Sequence, residues 1–166
     1  MRVSETTRKM VWDNLVECSR LARYWGGLGE KMRKWHNGFR AFLGISAAIS
    51  LIPALASGIP WQIGAFGAVG ILVALIWEYV KDYGAQAQTL LGIRKHLGDI
   101  LDDYRILWDE IENHEIGADD ARERSLALER KISGVLEGID MTTDEKLNRK
   151  SQKDAYKWEA NRYAAG

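Results

Sequence analysis

Cysteine and proline are almost missing: Cys18 is the only cysteine, and Pro53 and Pro60 are the only prolines, in 166 residues. One cysteine excludes an intrachain disulfide framework and a cysteine-based zinc cluster, and it fits a reducing compartment. Net charge is missing too, since 23 basic and 23 acidic residues cancel. No basic patch interleaved with aromatics marks a nucleic-acid interface, so no nucleic-acid partner is expected. The opening MRVSETTRKM has no apolar core ahead of a small-residue cleavage site, which argues against a cleaved signal peptide. The most informative absence is local. No Asp, Glu, Lys or Arg lies between Arg40 and Glu78.

Catalytic motifs are also lacking. His36, His96 and His114 are scattered, and the pair His114–Glu115 within DEIENHE has no metal-ligand spacing, so that run reads as a solvated helix face. The GGLG at Gly26–Gly29 lacks the Lys and Ser/Thr of a phosphate loop and follows no strand. No serine or cysteine sits in a nucleophile motif. Catalytic, cofactor-binding and metal-binding residues are therefore assigned to none, no cofactor is expected, and the chain reads as a non-enzyme.

What is present is an uncharged stretch from Ala41 to Trp77, room for two short spans at roughly 20 apolar residues each. Pro53 and Pro60 bracket ALASGI, and proline's missing donor and steric restriction suit a turn there. The reading is an all-α membrane protein. It has a cytoplasmic N-terminal helix over 1–38, a transmembrane hairpin over 39–80 (spans about 39–56 and 61–80) and a cytoplasmic helical, bundle- or coiled-coil-like region over 81–166. Trp35, Phe39, Trp61, Trp77 and Tyr79 fall where amphipathic rings favour the headgroups. Lys31, Arg33, Lys34 and Arg40 precede the hairpin, Lys81 follows it, and the turn has no basic residue. The positive-inside bias then puts both termini in the cytoplasm, at a prokaryotic inner membrane.

Within the second span, Gly64, Gly67, Ala68 and Gly70, with Ala74 beyond, form a stripe of small residues that lets helices approach closely. Gly44, Ala47, Ala48 and Ser50 are their counterparts in the first. The stripe serves either packing of the two spans or a contact between protomers that opens a pore. Glu78, at the cytoplasmic end, is either a pore-mouth carboxylate favouring cations or an interfacial carboxylate paired with Lys81.

The flanks are helical. Val11, Leu15, Cys18, Ala22 and Trp25 recur at spacings of four and three, continued by Leu28, Met32, Trp35 and Phe39. Gly26, Gly27 and Gly29 predict a bend or hinge in that helix. After the hairpin, Leu90, Ile93, Leu97, Ile100, Tyr104, Leu107 and Ile111 form a stripe for a bundle core or for oligomerisation. No proline separates it from the second span, so one helix is expected to continue from the bilayer until Gly117 breaks it. A further helix starts near Ala118 with Leu128, Ile132, Val135 and Ile139 on one side. The last starts at Thr142 or Thr143, capped by Thr143, and docks through Ala155, Tyr156 and Trp158.

This layout resembles the SLATT family of small two-span membrane proteins of prokaryotic conflict systems. The resemblance covers nearly the whole chain. It rests on the N-terminal helix, the short uncharged turn, the helix after span two, and the closing LALERKISGVLEGIDMTTDEKLNRKSQKDAYKWEANRY with Ala155-Tyr156. It implies an antiphage effector that homo-oligomerises and forms a pore or disrupts the membrane. No fused sensor or nucleotide-making domain accompanies it here, so its trigger would be a separately encoded sensor or nucleotide signal. Two other readings stand beside it: a phage holin, which a large helical body argues against, and a non-pore scaffold anchoring a soluble partner.

Overall fold

The structure, a computed structural model, describes residues 3–55, 60–139 and 144–164, and of 52–55, 78–81 and 164 the backbone alone. Among the described residues there are five α-helices: α1 Glu5–Leu55, α2 Trp61–Lys81, α3 Tyr83–Glu112, α4 Ala118–Leu136 and α5 Glu145–Ala164. No strand occurs among the described residues, and the chain is all-α. It divides into two units, Met1–Leu28 with Leu90–Gly166, and Gly29–Thr89. The second is wider than the 39–80 hairpin because it gathers Trp35, Phe39 and Tyr83 into one aromatic stack, with ring centroids 6.0–6.4 Å apart.

Several helix boundaries differ from expectation, each for a local reason. The α1 helix runs without a break through Gly26, Gly27 and Gly29, so no hinge interrupts its hydrogen-bond ladder there. Instead the glycines make room: a Cβ on Gly26 would lie 2.6 Å from Arg94 Cδ, and one on Gly27 3.0 Å from Leu147 Cδ1. Pro53 falls inside α1, whose backbone stays helical to Leu55; the expected turn residues 56–59 lie outside the described residues. The α2 helix does not continue into α3. Asp82 sits between them at φ 41, and its carboxylate accepts from the Ala85 amide at 3.3 Å, capping α3.

Gly117 does not end α3. His114 does, at φ 61: the His114 amide donates to Ile111 O and the Glu115 amide to Glu110 O, the paired bonds of a Schellman ending. Gly117, with ordinary extended backbone, precedes α4, whose first turn carries Asp119 and Asp120 in favourable sense to the helix dipole. The α5 helix starts at Glu145, capped by Asp144, whose carboxylate accepts from the Leu147 amide at 3.0 Å. Thr142 and Thr143, the expected start, lie outside the described residues.

The first unit has a continuous core. Val11, Leu15 and Cys18 of α1 pack with Ile100, Leu101, Tyr104, Leu107 and Ile111 of α3 and with Ala121 and Leu128 of α4. Two polar threads run through it. Ser125 accepts from Asn14 through its hydroxyl at 3.2 Å and from the Tyr104 hydroxyl through its carbonyl at 3.2 Å. Cys18 donates to Leu97 O at 3.5 Å. The α5 helix docks through Ser151, Ala155 and Glu159, all buried, while Tyr156 and Trp158 are exposed. Glu159 accepts from the Ser19 hydroxyl at 2.9 Å and from Arg105 at 2.8 Å. Trp12, Trp108 and Tyr163 complete this unit as mutually tilted rings with centroids 5.1–6.1 Å apart.

Candidate functional site: the charge-free helical pair

The second unit pairs the end of α1 with α2 over a stretch that holds no charged side chain. The contact is made by small residues. A Cβ on Gly67 would lie 2.7 Å from the Ser46 carbonyl oxygen and 2.8 Å from the Ser50 nitrogen, and one on Gly70 3.0 Å from Ser46 Oγ. Backbone therefore meets backbone, which only glycine allows at that approach. Ala74 is buried in the same stripe and Gly64 is half-buried. Ala68 is exposed, because one step along a helix turns it about 100° away from Gly67.

On α1 the seam is made by Ser46 and Ser50, not by Gly44, Ala47 and Ala48, which are exposed. The Ser50 hydroxyl donates to Ser46 O at 2.8 Å, so it is satisfied within its own helix.

The other face of α2 is apolar and uncovered within the chain. Trp61, Phe66, Val69, Leu72, Val73 and Ile76 are exposed, Phe66 at 78%. At about 100° per residue these side chains span an arc of about 140°, and the exposed Ile63, Leu75 and Trp77 widen it to about 240°, more than half of the helix circumference. Phe42, Ile45, Ile49 and Leu51 of α1 are exposed as well. Contiguous apolar surface on this scale marks an interaction with lipid or protein.

Length qualifies that reading. Among the described residues no helix is long and apolar enough to cross a membrane, so the expected two-span hairpin over 39–56 and 61–80 is not supported by them. The described side chains of α2 stop at Trp77, and Glu78 is placed only as backbone within α2, so its expected role at a pore mouth falls outside the described side chains.

All seven residues of the α3 stripe, Leu90, Ile93, Leu97, Ile100, Tyr104, Leu107 and Ile111, are buried within the chain's own first unit. They are not a free surface for another copy, because α1 and α4 already occupy that side. A charge at Leu97 or Ile100 would break this core before it reported on assembly.

The Cys18 thiol and the Tyr104 hydroxyl of the core are held in their protonated forms. Burial pushes the Cys18 thiol up to about 12, against a lesser lowering by Arg105. Burial likewise raises the Tyr104 hydroxyl to about 12. A thiol so placed is a packing group, since nucleophilic cysteine needs the thiolate. Among the described residues no group of three or more His, Cys, Asp or Glu is gathered as a metal site. The DEIENHE run is engaged in surface pairing, Glu110 with Arg124 and Glu112 with Arg8.

Two features carried no motif in the sequence: the buried Ser19–Glu159–Arg105 seam and the Trp12–Trp108–Tyr163 cluster. Each is assembled from three helices, and only the four-residue recurrence of Ser151, Ala155 and Glu159 hinted at the first. Comparison with protein-family models, with curated proteins and with solved structures gives no match.

Proposed function

We propose that this chain is a membrane-embedded, self-associating effector of the kind its resemblance to the SLATT family implies, permeabilising a prokaryotic inner membrane in an antiphage response. The observation that carries the reading is the outward apolar face of α2, set on a charge-free helical pair joined by a glycine–serine seam. A helix apolar nearly all round belongs in lipid or in a larger assembly. The helical backbone of α2 extends over 21 residues, a rise of about 31 Å at 1.5 Å per residue, against a hydrocarbon core of about 30 Å. Local thinning of the bilayer accommodates the shortfall in apolar side chains. With the α3 stripe occupied, association between copies falls to the exposed side chains of α1 and α2. The trigger would be a separately encoded sensor or nucleotide signal acting on the first unit.

The test is flotation and leakage. Purified full-length chain is reconstituted into liposomes at increasing density, and release of ions and of dyes of graded size is followed. Co-flotation with density-dependent leakage supports the proposal, and Phe66→Glu is expected to abolish both while leaving the helical content intact. Co-flotation with a tight membrane at every density overturns the pore and leaves a scaffold for a soluble partner. A chain that does not float overturns the membrane reading altogether.

A further inference from the structure

Charge is segregated along the first unit. Between Leu90 and Gly98, α3 carries Arg94 and Lys95 and no acid; from Asp99 to Glu112 it carries six acids, with only Arg105 against them. The α5 helix opens basic as well, with Lys146, Arg149, Lys150 and Lys153 against Glu145. Packing brings these two basic stretches to one end. The Tyr24 hydroxyl accepts from the Asp144 amide at 3.0 Å, Gly26 faces the Arg94 side chain, and Gly27 faces that of Leu147. Leu28 and Leu90 mark the same end, where the chain leaves the first unit and returns to it. The opposite end holds the Arg8–Glu112 pair and the contact of Trp12 with Tyr163.

The two ends also differ in how their charges are used. At the acidic end Asp102, Asp103, Glu110 and Glu112 each meet a cation of the chain: Arg105, Lys131, Arg124 and Arg8. At the basic end Arg94, Lys95, Lys146, Lys150 and Lys153 are exposed and make no ion pair among the described residues. Arg149 meets only the equally exposed Glu145, at 3.5 Å, a pair of little worth in water. The α5 lysines lie opposite the docking line of Ser151, Ala155 and Glu159, so they are directed away from the core. The chain therefore neutralises much of its acidic end and leaves its basic end open to an anion from outside.

We infer that this end of the first unit binds the phosphates of anionic phospholipids, of the phosphatidylglycerol type, in the leaflet that the chain enters beyond Leu28. The inference rests on the membrane reading and adds the lipid class to it. An anionic leaflet favours each nearby Lys or Arg by about fivefold in binding, within a Debye length of about 8 Å at physiological salt. Asp109 lies fifteen residues beyond Arg94 on α3, about 22 Å along the axis, too far for the acidic tip to cancel the attraction. Lys31, Arg33 and Lys34 adjoin the charge-free pair in sequence. The α5 cations reach this end only because the tail folds back along α1.

Spin-labelled lipids test it. Full-length chain is reconstituted in phosphatidylcholine vesicles, and the motionally restricted fraction is compared for spin-labelled phosphatidylglycerol and phosphatidylcholine. Phosphatidylglycerol should be preferred about fivefold, and the preference should vanish at about 1 M salt, where the Debye length is about 3 Å. The triple variant Lys146→Gln, Arg149→Gln, Lys150→Gln should bring the preference below about twofold. The triple variant Lys9→Gln, Arg122→Gln, Arg162→Gln removes the same charge away from the basic end and should leave the preference intact. Equal restriction of the two lipids overturns the inference and leaves the membrane reading standing. So does a preference that the α5 variant retains, since it would then belong to the cations of α1. A chain that restricts neither lipid is not embedded, and both readings fall.

Discussion

At the residue scale, His114 holds a backbone conformation that L side chains rarely adopt, φ 61, at the C-terminal ending of α3. Glycine is the usual occupant of that position because it carries no Cβ to clash with its own carbonyl. Nothing else ties the imidazole down: the side chain is exposed. His114→Gly is therefore expected to stabilise the chain by about 0.5–1 kcal/mol in chemical denaturation. A loss of stability would mean that the ring makes a contact worth more than the strain it relieves.

At the element scale, the seam between α1 and α2 distinguishes glycines that must be glycine from those that need not be. A methyl group on Gly67 meets main-chain atoms of Ser46 and Ser50, whereas one on Gly44 meets nothing within 4 Å. Gly67→Ala should part the helices and destabilise the second unit by about 1–3 kcal/mol, the usual range for overpacking. Gly44→Ala should be neutral or stabilising by up to about 1 kcal/mol from helix propensity. Cysteine cross-linking between Ser46 and Gly70 positions in each background would separate the two. Equal behaviour of the two variants would sink the account of the seam.

The elements also differ in how far their sequences announce them. The α3 helix was legible because seven apolar residues at spacings of three and four admit one buried face. The charge-free run announced α2, and its glycines announced the stripe. The α5 helix was not legible in the same way: its buried residues are Ser151, Ala155 and Glu159, and its Trp158 lies outside, beside Arg23. Apolar periodicity cannot find a helix that docks through a carboxylate. The Asp82 break between α2 and α3 escaped for a similar reason, since an aspartate reads as an exposed helix residue unless its left-handed backbone is seen.

At the scale of the whole molecule, the core sets how the chain responds to alkali. Cys18 goes from 9.0 to about 12 and Tyr104 from 10.0 to about 12 on folding, both through burial. Raised values in the folded state mean that the unfolded chain loses these protons first. The associated stability is complete below pH 9 and is lost progressively as pH rises towards 12. Cys18 alone of the two acts between pH 9 and 10, so Cys18→Ala should flatten the fall of stability in that interval, though it lowers the starting value by leaving a small void. Urea midpoints measured from pH 8 to 11 would show it; identical slopes for the two proteins would remove Cys18 from the account. At pH 8 the folded chain should also resist alkylation at this thiol and react only on unfolding.

The buried carboxylate of Glu159 has one more consequence, which concerns indexing rather than strength. A helix that docks by apolar contact alone can slide by a turn and find comparable surface. The α5 helix cannot, because a shift of one turn would carry Glu159 away from both Ser19 and Arg105 and leave a charge among apolar neighbours. Replacing buried ion pairs by apolar residues of similar size is often neutral for stability. The paired change Glu159→Leu with Arg105→Met, which leaves no guanidinium without its buried partner, is accordingly expected to keep the fold but loosen the address of the tail. Amide resonances of 145–164 would then broaden or double, and disulfide scanning would trap α5 in more than one register; a single sharp set would show that the aromatic cluster at Tyr163 fixes the register unaided.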